Sequence, residues 1–174
     1  MADSKKHRAY LALGGNLGDP RQAFGNACQK LTVHPQIKLH RSSSLYRTPA
    51  IGGPAGQPDY LNAVIEIATD LEPEQLLETC LQIEATAGRT RGIRWAARTL
   101  DIDLLFIDNL TLNTESLTLP HPLIQKRHFV LLPLVEIAPD LQHPQFGCSV
   151  SRLLKDLPAA DGITRLTEKW IDHD

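Results

Sequence analysis

Apolar positions along the chain fall into short blocks whose spacing switches between strand-like alternation and a helical stripe, with glycine and proline between them. Residues 8–14 read as a buried strand that breaks at Gly14-Gly15-Asn16-Leu17-Gly18-Asp19-Pro20. Residues 21–31 then read as a helix, with Asp19 able to cap it and Pro20 at the favoured first position. After His34-Pro35, residues 37–47 predict a second strand and residues 60–69 a third. Residues 48–59 hold three prolines and three glycines, which suit neither helix nor ladder and predict a long connecting loop, a kind of segment that often carries function.

Residues 72–87 predict a second helix, with Leu76, Leu77, Cys80, Leu81 and Ile83 forming its apolar stripe and Gly88 ending it. Residues 88–99 form an arginine-rich loop, and residues 100–107 a fourth strand. Asp108-Asn109 then make a turn before residues 110–112, Pro120-His121-Pro122 opens a segment leading to a helix over 129–135, and a short helix near 150–157 follows. Two strand-helix-strand units in succession predict an α+β fold, a ferredoxin-like sandwich with a mainly antiparallel sheet, helices packed on one face and an extension at the C-terminus. The length of 174 residues suits a single domain over 1–174, with residues 1–7 expected as a flexible N-terminal arm.

Charge and cysteine content narrow the classes. A net charge of −2 gives no general attraction to nucleic acid or anionic membrane, so a cluster of arginines here is local and calls for a small anionic partner. Cys28, Cys80 and Cys148 are odd in number, widely spaced and without CxxC, which fits inert thiols in a reducing compartment. The first apolar run, residues 9–13, is far short of the roughly 20 residues of a membrane span, and no signal peptide is evident. A soluble cytoplasmic protein, a monomer, is the expectation.

The chemistry concentrates at residues 89–103. In a strand, Asp101 and Asp103 project to one side while Leu100, Ile102 and Leu104 point to the other, so one face should be ionic and the other core. Adjacent carboxylates repel unless a cation sits between them, and hard oxygen donors suit Mg²⁺ together with substrate phosphates. Asp-x-Asp alone is more often a solvated strand face, and Arg89, Arg91, Arg94 and Arg98 alone are more often a wet loop. Their mutual placement favours a metal-phosphate site, because Arg98 stands three residues before Asp101 at a loop-to-strand junction. The Gly14–Pro20 turn carries neither GxGxxG nor GxxxxGK[ST], and a structural turn is its simpler reading.

The run Arg94-Trp95-Ala96-Ala97-Arg98-Thr99-Leu100-Asp101-Ile102-Asp103-Leu104-Leu105 closely resembles the signature of the 6-hydroxymethyl-7,8-dihydropterin pyrophosphokinase family of the folate pathway. Residues 12–19, 44–49, 57–63, 119–121 and 133–139 resemble further blocks of that family in its order, so the likeness covers about residues 8–145. The resemblance implies a ferredoxin-like fold and transfer of pyrophosphate from ATP to the hydroxymethyl group of the pterin, with AMP leaving. By position, Asp101 and Asp103 would hold two Mg²⁺ ions, and Arg89 and Arg98 would be the catalytic cations. Arg91, His121 and Arg127 would hold the phosphates of ATP, and Thr118 would lie near its sugar or base.

For the flat pterin, Tyr60 and Phe129 match the family's stacking pair, Asn62 and Thr48 its edge-reading positions, and Pro49 and Trp95 the groups that close the pocket. From the residues alone, Tyr60 and Phe129 read more often as core, and His121 equally as a packed turn residue. The chain departs from the family pattern at Gly15, where Ser is common, at Ala96-Ala97 in place of a frequent Gly-Pro, and in an arginine loop one residue shorter than in some relatives. An RNA-binding module of the same topology would need aromatics where Asp101 and Asp103 stand, which disfavours it. A nucleotidyltransferase with the same metal pair would release pyrophosphate instead of AMP.

Overall fold

The computed structural model describes residues 6–50, 56–87 and 99–171. The main sheet takes strands β1 (His7–Gly15), β2 (Ile37–Ser42), β3 (Tyr46–Thr48), β4 (Tyr60–Thr69), β5 (Asp101–Ile107) and, after a separate hairpin, β8 (Thr164–Arg165). The hairpin pairs β6 (Leu112–Asn113) with β7 (Thr118–Leu119). Helices α1 (Pro20–Val33) and α2 (Pro73–Thr86) connect the strands of the first two units, and α3 (His128–Ile137) and α4 (Val150–Asp156) follow them.

The sheet runs β5-β1-β4-β3-β8, with β2 also paired to β4, and every pairing is antiparallel. This is the ferredoxin-like α+β arrangement that the two strand-helix-strand units predict. Both long helices start as their sequences require. The Asp19 side chain accepts the Gln22 N–H at 3.1 Å with Pro20 in the first turn of α1, and the Gln75 side chain accepts the Glu72 N–H at 3.0 Å at the start of α2.

Helices cover both faces of the sheet, not one. On the first face, Leu11, Leu13, Ile65, Ile67, Ile102 and Leu104 pack with Phe24 and Leu31 of α1 and Leu76 and Ile83 of α2. On the second, Tyr10, Val64, Leu105 and Phe106 pack with Val130, Leu131 and Leu134 of α3 and Val150 and Leu153 of α4. The physical reason is the composition of β4 and α3. Residues 62–67 of β4 are buried without interruption, as in a strand enclosed on both sides, and the apolar run of α3 has to be removed from water.

Three further expectations are corrected. The span 37–47 is two strands, because residues 43–45 leave the ladder between β2 and β3. The face of β5 that carries the aspartates is ionic only at its start. A bulge opposite Tyr10 and Leu11 shifts the register, and both Leu105 and Phe106 then enter the second core. His7, expected in a flexible arm over 1–7, belongs to β1: it pairs with Thr69 and its Nδ1 lies 2.8 Å from the Asp108 carboxylate, while residues 1–5 fall outside the described residues.

Past α4 the chain returns to the sheet as β8, a strand the sequence does not announce, and Trp170 closes edge-on against Phe24. Cys28 and Cys80 are buried in the first core, and burial pushes both thiols up to about 12, far from a reactive thiolate, as expected. Among the described residues no helix is long and apolar enough to cross a membrane.

Candidate active site

Alternation along the antiparallel ladders brings the polar residues together. Gly14 of β1 pairs with Asn62 on one side and Asp101 on the other, Asn62 pairs with Tyr46, and Ala12 pairs with Asp103. Directly paired residues share a face. Asp101, Asp103, Asn62, Tyr60 and Thr48 therefore all project toward the side covered by α3. Near the start of β5 that face is open, and a cleft of about 690 Å³ lies between it and the amino end of α3.

Its floor is Ala12, Leu13 and Gly14. A Cβ on Gly14 would stand 3.2 Å from the Asn62 Oδ1, so the missing side chain keeps the middle of the cleft open between the aspartates and Asn62. At one end stand Asp101, Asp103 and His121; at the other Thr48, Pro49, Tyr60 and Asn62; residues 126–130 line the α3 side. Asn62 and Thr48 are both buried, and the Asn62 amide donates to the Thr48 hydroxyl at 3.0 Å, which holds two polar edges in fixed orientation.

The strand start that carries the aspartates is anchored from the other layer. Glu84 of α2 is buried and its Oε1 accepts the Ile102 N–H at 2.7 Å, the peptide group between the two acids. His121 enters through the segment after a cis Leu119-Pro120 peptide; its N–H donates to the Leu105 carbonyl at 3.0 Å, and its Nδ1 accepts the Leu123 N–H at 3.2 Å. That leaves Nε2 to carry the proton in the neutral ring. Burial lowers the pKa of His121; Asp103 pulls it up and Arg127 pushes it down.

Cations complete the α3 side. Lys126, Arg127 and His128 all line the cleft, the Arg127 guanidinium carbon lies 5.6 Å from the Phe129 ring centre, and the amino end of the helix adds partial positive charge. No cluster of three or more metal-ligating side chains occurs among the described residues. Asp101 and Asp103 can thus supply part of a cation's shell, with oxygen donors from a bound phosphate or water required for the rest.

Of the residues singled out by sequence, the cleft gathers Thr48, Pro49, Tyr60, Asn62, Asp101, Asp103, His121, Arg127 and Phe129. Thr118 is not among its lining residues: it sits in the β6–β7 hairpin, with its hydroxyl 3.4 Å from the Asn113 side chain. Arg89, Arg91, Arg94, Trp95 and Arg98 lie outside the described residues. Sequence reasoning missed Lys126 and His128, which a run of three basic residues ahead of an apolar helix could have signalled. It also missed Ala160, Asp161 and Ile163, which reach the cleft from the far C-terminal segment and carry no local signal.

Residues 10–139 match the family model described as 7,8-dihydro-6-hydroxymethylpterin-pyrophosphokinase. A 2-amino-4-hydroxy-6-hydroxymethyldihydropteridine pyrophosphokinase of Synechocystis sp. is 40% identical over 163 residues, covering 90% of this chain and 83% of that protein. One from Methylorubrum extorquens is 46% identical over 134 residues, 77% of this chain and 84% of that protein. Among solved structures, the wild-type HPPK-DHPS of Plasmodium falciparum with pterin and p-hydroxybenzoate superposes with a TM-score of 0.69 at 15% identity, over 95% of this chain and 47% of the other, a likeness of fold. The chain thus spans less than half the length of that bifunctional protein. With the aspartate pair, the Asn62–Thr48 pair and the two rings gathered in one cleft inside the matched segment, the chain belongs to the 7,8-dihydro-6-hydroxymethylpterin-pyrophosphokinase family.

Proposed function

We propose that this chain transfers pyrophosphate from ATP to the hydroxymethyl group of 6-hydroxymethyl-7,8-dihydropterin and releases AMP, a step of folate biosynthesis. The observation that carries this reading is the polarity of a single cleft. Its acidic end with flanking cations suits metal-bound phosphates, and its far end, with the Tyr60 ring and a fixed amide-hydroxyl pair and with Phe129 on the α3 side of the same cleft, suits a flat heterocycle with a donor-acceptor edge.

In the reaction the hydroxymethyl oxygen forms a bond to the β-phosphorus while the bond from that phosphorus to the α,β-bridging oxygen breaks. AMP departs with the bridging oxygen, and the hydroxyl proton is released. Asp101 and Asp103 would hold two Mg²⁺ ions, which would neutralise phosphate charge and lower the proton affinity of the hydroxyl. Arg127, with His121 and Lys126, grips the phosphates, and Arg89, Arg91 and Arg98 join them from the arginine loop. Tyr60 and Phe129 stack on the pterin, Asn62 and Thr48 read its edge, and Pro49 and Trp95 close over it. Thr118 near the nucleoside rests on the family resemblance alone. The chain acts as a cytoplasmic monomer, without nucleic acid or membrane partners.

The test is incubation with Mg-ATP and the hydroxymethyl dihydropterin, with nucleotide products separated by chromatography. AMP formed in step with the pterin diphosphate is the expected result. Release of inorganic pyrophosphate, or no pterin-dependent AMP, overturns the reading. Light scattering should give a mass near 19.3 kDa for the monomer.

A further inference from the structure

The cleft has a wall that lies wholly beyond the segment matched by the family model, which ends at residue 139. Residues 158–165 run from α4 back to the sheet, and Ala160, Asp161 and Ile163 face the cleft. Several independent bonds fix this strap. Arg165 and Thr164 pair with Tyr46 and Arg47, and the Leu166 N–H donates to the Leu45 carbonyl at 2.8 Å. The Arg165 Nε donates to the Ser44 hydroxyl at 3.1 Å and stands 3.5 Å from the Glu136 carboxylate, while the Trp170 indole donates to the Ser43 carbonyl at 2.8 Å. Glu136 in turn accepts from the Tyr46 hydroxyl at 2.7 Å, so the strap, β3 and α3 share one polar knot.

β3 ends at Thr48, and the next residue is Pro49. There the strap runs against Pro49. Gly162 has φ +80°, and a Cβ built on it would lie 2.9 Å from Pro49 Cγ and 3.4 Å from Cδ. Glycine is therefore required twice at this position, by the backbone conformation and by the absence of room. The next residue, Ile163, is half-buried and offers an apolar side chain to the cleft beside Pro49. Ala160, Asp161 and Ile163 bring apolar groups and no cation to this wall, which suits an uncharged ring better than a triphosphate, in contrast to Lys126 and Arg127 on the α3 side.

We infer that the C-terminal strap is a specificity-determining wall of the pterin subsite, with Ile163 as its contact side chain and Gly162 as the residue that lets it close against Pro49. This rests on the pterin reading given under Proposed function. Part of the substrate selectivity is thus carried far along the sequence from both the Asp101/Asp103 pair and the Asn62/Thr48 pair.

The experiment compares Ile163→Ala, Ile163→Val and Gly162→Ala with the unaltered chain, measuring KM for pterin and for Mg-ATP separately, with equilibrium titration of the pterin by its fluorescence. Truncation at Ile163 should raise the pterin KM roughly fivefold or more while the ATP KM moves less than about twofold, since lost methylenes in an apolar pocket act on the ligand they touch. Ile163→Val should recover most of the loss, and Gly162→Ala should reproduce the same split by displacing Pro49. A parallel rise in both KM values, or an unchanged pterin KM in Ile163→Ala, overturns the inference even where Gly162→Ala fails to fold. Turnover of the unaltered chain separates the two levels: if it forms AMP and the variants show no split, only the strap inference falls, whereas absence of pterin-dependent AMP defeats both.

Discussion

Asp101 and Asp103 occupy the same face of β5 at its first and third residues, where two carboxylates can face one cation-phosphate complex. Replacing either with Asn keeps the shape and removes one charge. Turnover should fall by about a hundredfold or more, as when preorganised charge stabilisation is removed, with the melting temperature unchanged or slightly raised. Near-normal turnover in steady-state AMP assays would contradict the assignment. A second residue-scale expectation concerns His143, which is buried between Phe106 and Phe146, with ring centres 5.6 and 4.3 Å away, and whose Nδ1 accepts the backbone N–H groups of Gln145 and Phe146. Burial lowers its pKa below the ordinary histidine value. The unfolded chain therefore binds more protons once pH falls below about 6.5, so the stability from this site is complete above that pH and is lost as pH drops toward the folded value. Melting temperatures measured from pH 7.5 to 5.5 should decline, and the decline should be shallower in His143→Leu. The aspartate pair was legible in sequence because strand alternation is strictly local. His143 was not, because its meaning lies in two aromatic rings, one of them from a distant strand.

Between elements, the contact that matters most for the site is made by α2 to β5 through the buried Glu84 carboxylate and the Ile102 N–H. Glu84→Ala deprives that buried donor of its acceptor, at a cost of about 1–3 kcal/mol in denaturant unfolding, and should lower turnover by loosening the aspartates; Glu84→Gln, which keeps an acceptor oxygen, should recover most of both. Equal stability of all three proteins would show that the bond does not matter. In the sequence Glu84 is only one residue of the second helix, next to the last position of its apolar stripe. The elements themselves were largely legible: α1 and α2 announce their starts through Asp19-Pro20 and Glu72-Pro73, and β4 through a mostly apolar stretch rich in Val and Ile. The break at residues 43–45 and the bulge at Leu105 were not, because a strand departs from regular pairing in response to its neighbours.

Across the whole molecule, substrate binding should register as stability. At a hundredfold excess over its dissociation constant, Mg²⁺ with a nonhydrolysable ATP analogue adds about 2.7 kcal/mol, which for a domain of this size raises the melting temperature by roughly 5–10 °C. Removing the metal with a chelator should abolish most of the shift; an equal shift with the nucleotide alone would argue against Asp101 and Asp103 as its ligands. By itself the sequence determined the order of the long strands and of the helices, the placement of Asp101 and Asp103 on one strand face and the family likeness, because these depend on local period, caps and contiguous motifs. Only the tertiary structure decided that helices enclose the sheet on both faces, that Gly14 opens a space between the aspartates and Asn62, and that residues 158–165 return to wall the cleft beside Pro49. The reason is that each of these is a meeting of segments far apart along the chain, set by register and burial, for which no short stretch of residues carries a signal.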